Sequence, residues 1–258
     1  MKMNYISHSR LSSYSSFYGC PRKFEFSYVQ NLTRITMSGS LGLGGATHHA
    51  IGSMIPEGEE RGTVWAEAFT DYFESVFERI DPEADRPALK AKGLEMVAAL
   101  DEELPADLGE AEYKIETPPT VINGVEIPPF VGYADYYNPT DHHLIELKTS
   151  GRINSNPYSH LPQLGLYSIA LETLTTEAPT VDLVQVTSAK TVRVLSEPVT
   201  IDAEQKEWLK RYVSNTVAAI EADHFPERIT PNCRFCDFRE ACQFADFSKL
   251  REKGPPRS

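Results

Sequence analysis

The stretch running from Gly132-Tyr133-Ala134-Asp135 to Leu144-Ile145-Glu146-Leu147-Lys148 decides the fold. It reads as two short apolar strands, one around 130–137 and one over 143–149, joined by a turn at Asn138-Pro139-Thr140-Asp141. Side chains alternate along a strand, so Glu146 and Lys148 share one face while Leu147 points to the other. Closing the hairpin brings Asp135 toward the Glu146 face from the partner strand. Two carboxylates beside one ammonium, set between oily strands, are costly to bury without a metal or an anionic substrate. A hard divalent cation wants such oxygens, and a phosphate with its attacking water wants such a lysine. The pattern suits metal-dependent phosphodiester hydrolysis. The plainer alternative is an exposed cross-strand Glu146–Lys148 ion pair with Asp135 as a turn residue, so the reading depends on what accompanies the triplet.

A chain of 258 residues can bury a sizeable core. It holds no apolar run long enough to cross a bilayer and no basic-then-apolar N-terminal signal, so a cytoplasmic protein with reduced cysteines is expected. The net charge of −12 is unfavourable for a DNA-binding protein, but the charge is uneven. Residues 57–116 carry 18 acidic and 6 basic side chains, which equals the whole excess. Residues 1–40 carry Lys2, Arg10, Arg22, Lys23 and Arg34 against Glu25 alone. Arg10, Arg22 and Lys23 are candidate backbone contacts on a basic arm, with a solvated face as the default reading.

The order of elements expected is helices, three strands, a helix, two strands, a helix and a cysteine-bearing tail. Residues 9–29 look helical and aromatic, broken at Gly19-Cys20-Pro21. Thr63 is a candidate cap for a helix whose apolar stripe is Trp65, Ala68, Phe69, Tyr72, Phe73, Val76, Phe77 and Ile80. A second helix is expected over 87–104, and the two would form an acidic helical lobe over 57–110. Asn123-Gly124 signals a tight hairpin. A helix is expected at about 160–173 with Pro162 in its first turn. A hairpin should pair 181–187 with 191–195, and Asp202 with Gln205 resembles a capping box. The helix it opens should bury Trp208, Leu209, Tyr212, Val213, Val217 and Ile220. Residues 254–258 look unstructured.

The chain's four cysteines are Cys20, Cys233, Cys236 and Cys242. A C-x2-C turn points two thiols at one centre, and Cys242 can return on the next turn of chain. The candidates are a shared zinc or iron–sulfur centre joining the two ends of the chain, two disulfides, or four unrelated thiols. Gly44-Gly45-Ala46-Thr47-His48-His49 looks like the opening of a helix, and either histidine can offer an imidazole nitrogen to a metal. Gln163 and Tyr167, at i and i+4, project from one face of the helix after the E-x-K strand.

Taken together, these pieces resemble a RecB-type nuclease of the PD-(D/E)XK superfamily, in the branch that carries an iron–sulfur cluster. That branch includes the AddB nuclease domain, the CRISPR-associated RecB-like exonucleases and their phage relatives. Gly45-x-x-x-His49 is similar to the family's histidine motif and Gly132-x-x-Asp135 to its aspartate motif. Ile145-Glu146-Leu147-Lys148 resembles the E-x-K motif, and Gln163-x-x-x-Tyr167 the glutamine–tyrosine motif. Cys20-Pro21-Arg22-Lys23-Phe24 with Cys233, Cys236 and Cys242 resembles the split cluster signature. The resemblance runs from about Ser9 to Gln243, with a duplicated histidine at His48 and no motif over 57–116.

It implies an α/β (α+β) restriction-endonuclease-like core with a central mixed sheet flanked by helices, all in one domain over 1–258. The nuclease core would span 111–222 and the cluster-binding termini 1–40 and 225–247. It further implies Mn²⁺ or Mg²⁺ on His49, Asp135, Glu146 and the Leu147 carbonyl. Lys148, Gln163 and Tyr167 would join Asp135 and Glu146 in catalysis, and a [4Fe–4S] cluster would sit on Cys20, Cys233, Cys236 and Cys242. The implied substrate is DNA, preferably single-stranded. With no helicase motor or P-loop, the resemblance is to a stand-alone nuclease.

Overall fold

The computed structural model describes residues 3–16, 19–156 and 159–254, without the side chains of Pro231 and Asn232. Phe17 and Tyr18, in the aromatic N-terminal segment, and residues 255–258 of the tail expected to be unstructured lie outside the described residues. The chain divides into two compact units. One comprises Met37–Ile115 and Tyr133–Ile201; the other comprises Met1–Thr36, Glu116–Gly132 and Asp202–Ser258.

The first unit is built on a five-stranded mixed sheet in the order Glu110–Glu116, Val131–Asn138, His143–Ser150, Thr180–Thr187, Val194–Pro198. The strands quoted at the outset pair antiparallel, with Tyr136 opposite Ile145. The next pair is parallel, Glu146 opposite Leu183. A parallel neighbour needs a long return connection, and the helix Leu161–Thr175 supplies it, with Pro162 in its first turn. The last pair is antiparallel, Val186 opposite Val194. Its second strand begins three residues later than the sequence suggests. Thr187 and Arg193 close a wider loop, through Thr187 N to Arg193 O and Arg193 N to Thr187 Oγ1.

Helices Gly39–Ile51, Arg61–Val76 and Arg86–Glu103 complete this unit. The two acidic helices share one core with the strands: Trp65, Phe69, Phe73, Met96 and Leu100 pack in one cluster with Ile145, Leu147, Val184 and Val186. Thr63 is not the cap, because the helix begins at Arg61. Arg61 is drawn into the fold to close the neighbouring helix end, donating to Asp101 Oδ1 (2.6 Å), Asp101 O (2.6 Å) and Leu104 O (3.0 Å). The unpaired carbonyls at a helix end need such partners.

Close packing of these two helices depends on Gly93. A Cβ added there would sit 1.9 Å from Phe69 Cζ. Gly93→Ala is expected to destabilise the protein by about 1–3 kcal/mol despite alanine's better helix propensity, because the overpacked ring must move. A urea midpoint unchanged or raised in that variant would show that Phe69 has room to yield.

In the second unit, His8–Ser15 and Pro21–Phe24 run into a π-helical turn, Glu25–Val29. The hairpin of Thr120–Ile122 and Val125–Ile127 turns on Asn123 (φ 51°) and Gly124 (φ 77°), the left-handed pair such a turn requires. The helix Ala203–Glu221 opens with the Asp202/Gln205 capping box. Leu209, Val213, Val217 and Ile220 form its buried face, but Trp208 is 41% exposed and Tyr212 only half-buried. Trp208 lies about 100° around the helix from Leu209, which puts it off the buried arc. The two ends of the chain are zipped by antiparallel pairing of Leu32–Arg34 with Leu250–Glu252. A small core of Phe26, Phe238 and Ala241 lies in the same unit.

Candidate active site

All of the candidate site on the sheet lies within the first unit. Asp135 is 8% exposed and Glu146 2%, so two carboxylates are buried side by side on neighbouring strands. Asp135 is fully engaged. Its Oδ2 accepts from Leu147 N (2.6 Å), and its Oδ1 lies 2.8 Å from His48 Nδ1. Glu146 is half engaged. Its Oε1 accepts from Lys148 Nζ (2.6 Å) and from Gln163 Nε2, while Oε2 is buried with no partner among the described residues. The i, i+4 spacing anticipated for Gln163 and Tyr167 brings Gln163 Nε2 to Tyr167 Oη (3.3 Å), and Tyr167 Oη donates to Tyr133 O (2.9 Å). Thus Tyr167 holds Gln163, and Gln163 holds one oxygen of Glu146.

Of the two histidines, the structure brings His48, not His49, to Asp135. His49 is exposed and stacks on Tyr72, ring centroids 4.8 Å apart. The helix does not open at Gly44 but at Gly39, capped by Ser38, whose hydroxyl accepts from Leu41 N. Packing sets its facing. A Cβ on Gly44 would lie 2.8 Å from Thr149 Oγ1, so the helix touches the E-x-K strand there. His48, one turn on from Gly44, shares that face, whereas Gly45 and His49 face Tyr72.

Electrostatics follow burial. Loss of solvent pushes the Glu146 carboxyl up to about 7, against the nearby Lys148, with Asp135 adding to the rise. For His48, burial favours the neutral ring, but the Asp135 hydrogen bond and charge outweigh it and hold the imidazole above its usual range.

Sequence reasoning did not find two further groups. Glu112, on the neighbouring strand, is raised by burial and by the Asp135 charge, and stands at φ 49°, a strained backbone for glutamate. His160 sits at the start of the helix Leu161–Thr175 with Nε2 buried and unpartnered among the described residues, its pKa lowered by burial and by Lys148. Neither carries a local signal: each joins the site through the sheet or a crossover.

The cysteines lie in the second unit, all four as free thiols. Cys20 Sγ accepts from Arg228 N (3.3 Å), and Cys233 Sγ lies 3.7 Å from Arg228 O, so one residue's backbone bridges positions 20 and 233. Burial raises the Cys236 and Cys242 thiols, and Cys20 adds to both. Arg10 is held over the rings of Tyr5 (4.1 Å) and Tyr28 (5.2 Å), and Arg22 pairs with Glu25 and covers Phe26. Lys23 is half-buried. Among the described residues, no group of three or more His, Cys, Asp or Glu side chains converges so as to hold a metal ion. Nor is any helix among them long and apolar enough to cross a membrane.

The family model of the PD-(D/E)XK nuclease superfamily matches residues 5–243. The chain belongs to the PD-(D/E)XK nuclease superfamily. Its mixed five-stranded sheet flanked by helices is the PD-(D/E)XK fold. No curated protein matches the chain. Among solved structures it resembles a candidate exonuclease from Eubacterium rectale, at a TM-score of 0.67 and 12% identity, over 99% of this chain and 91% of that one. SSO0001 aligns at 15% identity over 86% of this chain and 92% of that one, with a TM-score of only 0.39. At 12% identity the likeness to the first of these speaks for the fold alone. A nuclease of this superfamily acts on nucleic acid, and members generally use Mg²⁺ or Mn²⁺.

Proposed function

We propose that this chain is a metal-dependent exonuclease of single-stranded DNA, acting in the cytoplasm, in the RecB-type branch of the superfamily. The observation that carries the metal dependence is the unpartnered Oε2 of a glutamate only 2% exposed. An orphaned carboxylate oxygen is expensive inside a protein and is what a hard cation compensates. His48, Asp135, Glu146 and the Leu147 carbonyl would hold Mg²⁺ or Mn²⁺, with His48 in the place the sequence assigned to His49, although as the chain stands the three side chains do not converge on one point. Bound there, the ion supplies Lewis acidity toward a phosphate oxygen and lowers the pKa of a water.

The remaining work belongs to side chains. Lys148, anchored on Glu146 Oε1, orients the attacking water and offsets charge growing on phosphorus. Gln163 and Tyr167 are positioning residues that keep Oε1 engaged and Oε2 free.

Exonuclease action, preference for a single strand and 5′-to-3′ polarity come from the family resemblance, and the candidate exonuclease that shares the fold supports only exonuclease action. With Mn²⁺, end-labelled linear single strands should shorten progressively while closed circles survive, and chelation should stop the reaction. Circles cut as fast as linear strands would replace the reading with an endonuclease.

The four cysteines are proposed to hold a structural [4Fe–4S] cluster, supported by the approach of Cys20 and Cys233 to one backbone segment. Protein purified without oxygen should be brown, with iron and sulfide near four each per chain. Cys20→Ser should lower its unfolding temperature without separating the chain ends, which the strands Leu32–Arg34 and Leu250–Glu252 also join. Stoichiometric zinc without sulfide would overturn the cluster.

A further inference from the structure

We propose that Trp208, backed by Tyr212 and flanked by Arg211, is a base-stacking platform for a single strand of nucleic acid, separate from the Asp135–Glu146 centre. This rests on the reading that the substrate is single-stranded.

Trp208 is 41% exposed on the helix Ala203–Glu221, whose buried face runs through Leu209, Val213, Val217 and Ile220. An indole left in water on a well-capped helix gives up apolar burial that the helix does not need for its own packing. Its pose is fixed. Tyr212, one turn on, lies nearly parallel to it, centroids 5.4 Å apart and planes 18° apart. The Tyr212 hydroxyl is buried with no partner among the described residues, so no hydrogen bond accounts for the ring's position; packing beneath Trp208 does. The result is a two-ring stack whose indole is 41% exposed.

Charge selects the occupant. Lys210 is paired with Glu207 at 2.6 Å. The Arg211 side chain, at i+3 from Trp208, is exposed and makes no hydrogen bond or close ion pair among the described residues, although it feels the Glu207 charge that Lys210 pairs with. An exposed indole beside a solvent-facing guanidinium matches a base stacked next to its phosphate. Duplex DNA keeps its bases covered, so only an unstacked strand can use the platform.

The chain has two tryptophans, and Trp65 is 0% exposed, so quenching of indole emission reports on Trp208. A short oligothymidylate should be titrated into Glu146→Gln protein, which cannot consume it, with anisotropy of the labelled strand read in parallel. Quenching should track binding. Trp208→Ala should weaken binding about tenfold, Trp208→Phe should restore most of it, and Arg211→Ala should reduce the salt slope by about 0.7. A strand that binds with unquenched emission and unchanged affinity for Trp208→Ala overturns the platform and leaves the nuclease reading standing. If no strand is bound by this protein or cut by the unmodified one, that reading falls and takes the platform with it. If Trp208→Ala instead alters self-association and not strand binding, the face belongs to a second copy and the proposal is wrong.

Discussion

Replacing Glu146 by glutamine is expected to reduce strand hydrolysis by at least about a thousandfold while making the metal-free protein more stable at pH 8. The activity loss follows from removing the one carboxylate that has both a buried free oxygen and a lysine on its other oxygen. The stability gain follows from linkage. Burial lifts the folded-state pKa of Glu146 from the usual 4.5 to about 7. The stability contributed by its protonated form is therefore complete below about 4.5 and is lost as pH rises through about 7. Above that, the ionised group costs up to about 3 kcal/mol. Glutamine keeps an oxygen for Lys148 and Gln163 and carries no charge to desolvate. His48, also raised, works in the same direction. Thermal unfolding of the chelated protein should thus show a midpoint that falls between pH 5 and pH 8, and Glu146→Gln should flatten most of that fall. An activity near that of the unmodified protein, with contaminating nuclease excluded, would remove Glu146 from the chemistry.

Adjacent histidines should behave very differently. His48→Ala is expected to cut activity about a hundredfold and to raise the Mn²⁺ concentration needed for half-maximal rate. His49→Ala should stay within about twofold. His48 lies 2.8 Å from the buried Asp135, whereas His49 is exposed and rests on Tyr72. Loss of a metal ligand is felt in both metal affinity and rate, while an exposed stacked ring contributes little to either. The reverse order of effects would mean that the helix Gly39–Ile51 turns its other face to the site.

These two histidines mark the limit of what the sequence discloses. The Asp135 and Glu146 strands were legible because period-two alternation and the Asn138–Asp141 turn are local signals. The order of the main helices was legible for the same reason, but the three strands expected before the crossover helix are five between Arg86–Glu103 and Leu161–Thr175, and the paired strands Leu32–Arg34 and Leu250–Glu252 carried no local signal. The histidine register was not: Gly44-x-x-x-His48 and Gly45-x-x-x-His49 are equally good patterns. Only the approach of Gly44 to Thr149, a contact across 105 residues, decides between them. Glu112 and His160 carry no motif at all and join the site through the sheet and a crossover. Trp208 misled because it stands at the edge of an amphipathic arc, where burial depends on the width of the surface beneath.

Glu146, with Asp135 and His48, is proposed to form a divalent-cation site. The most direct test is a titration of Mn²⁺ into chelator-stripped protein, with free ion followed by electron paramagnetic resonance. Tight uptake is predicted for the unmodified chain and for His49→Ala, and its loss for Glu146→Gln. Uptake that is absent from the unmodified chain, or undiminished in Glu146→Gln, would contradict it.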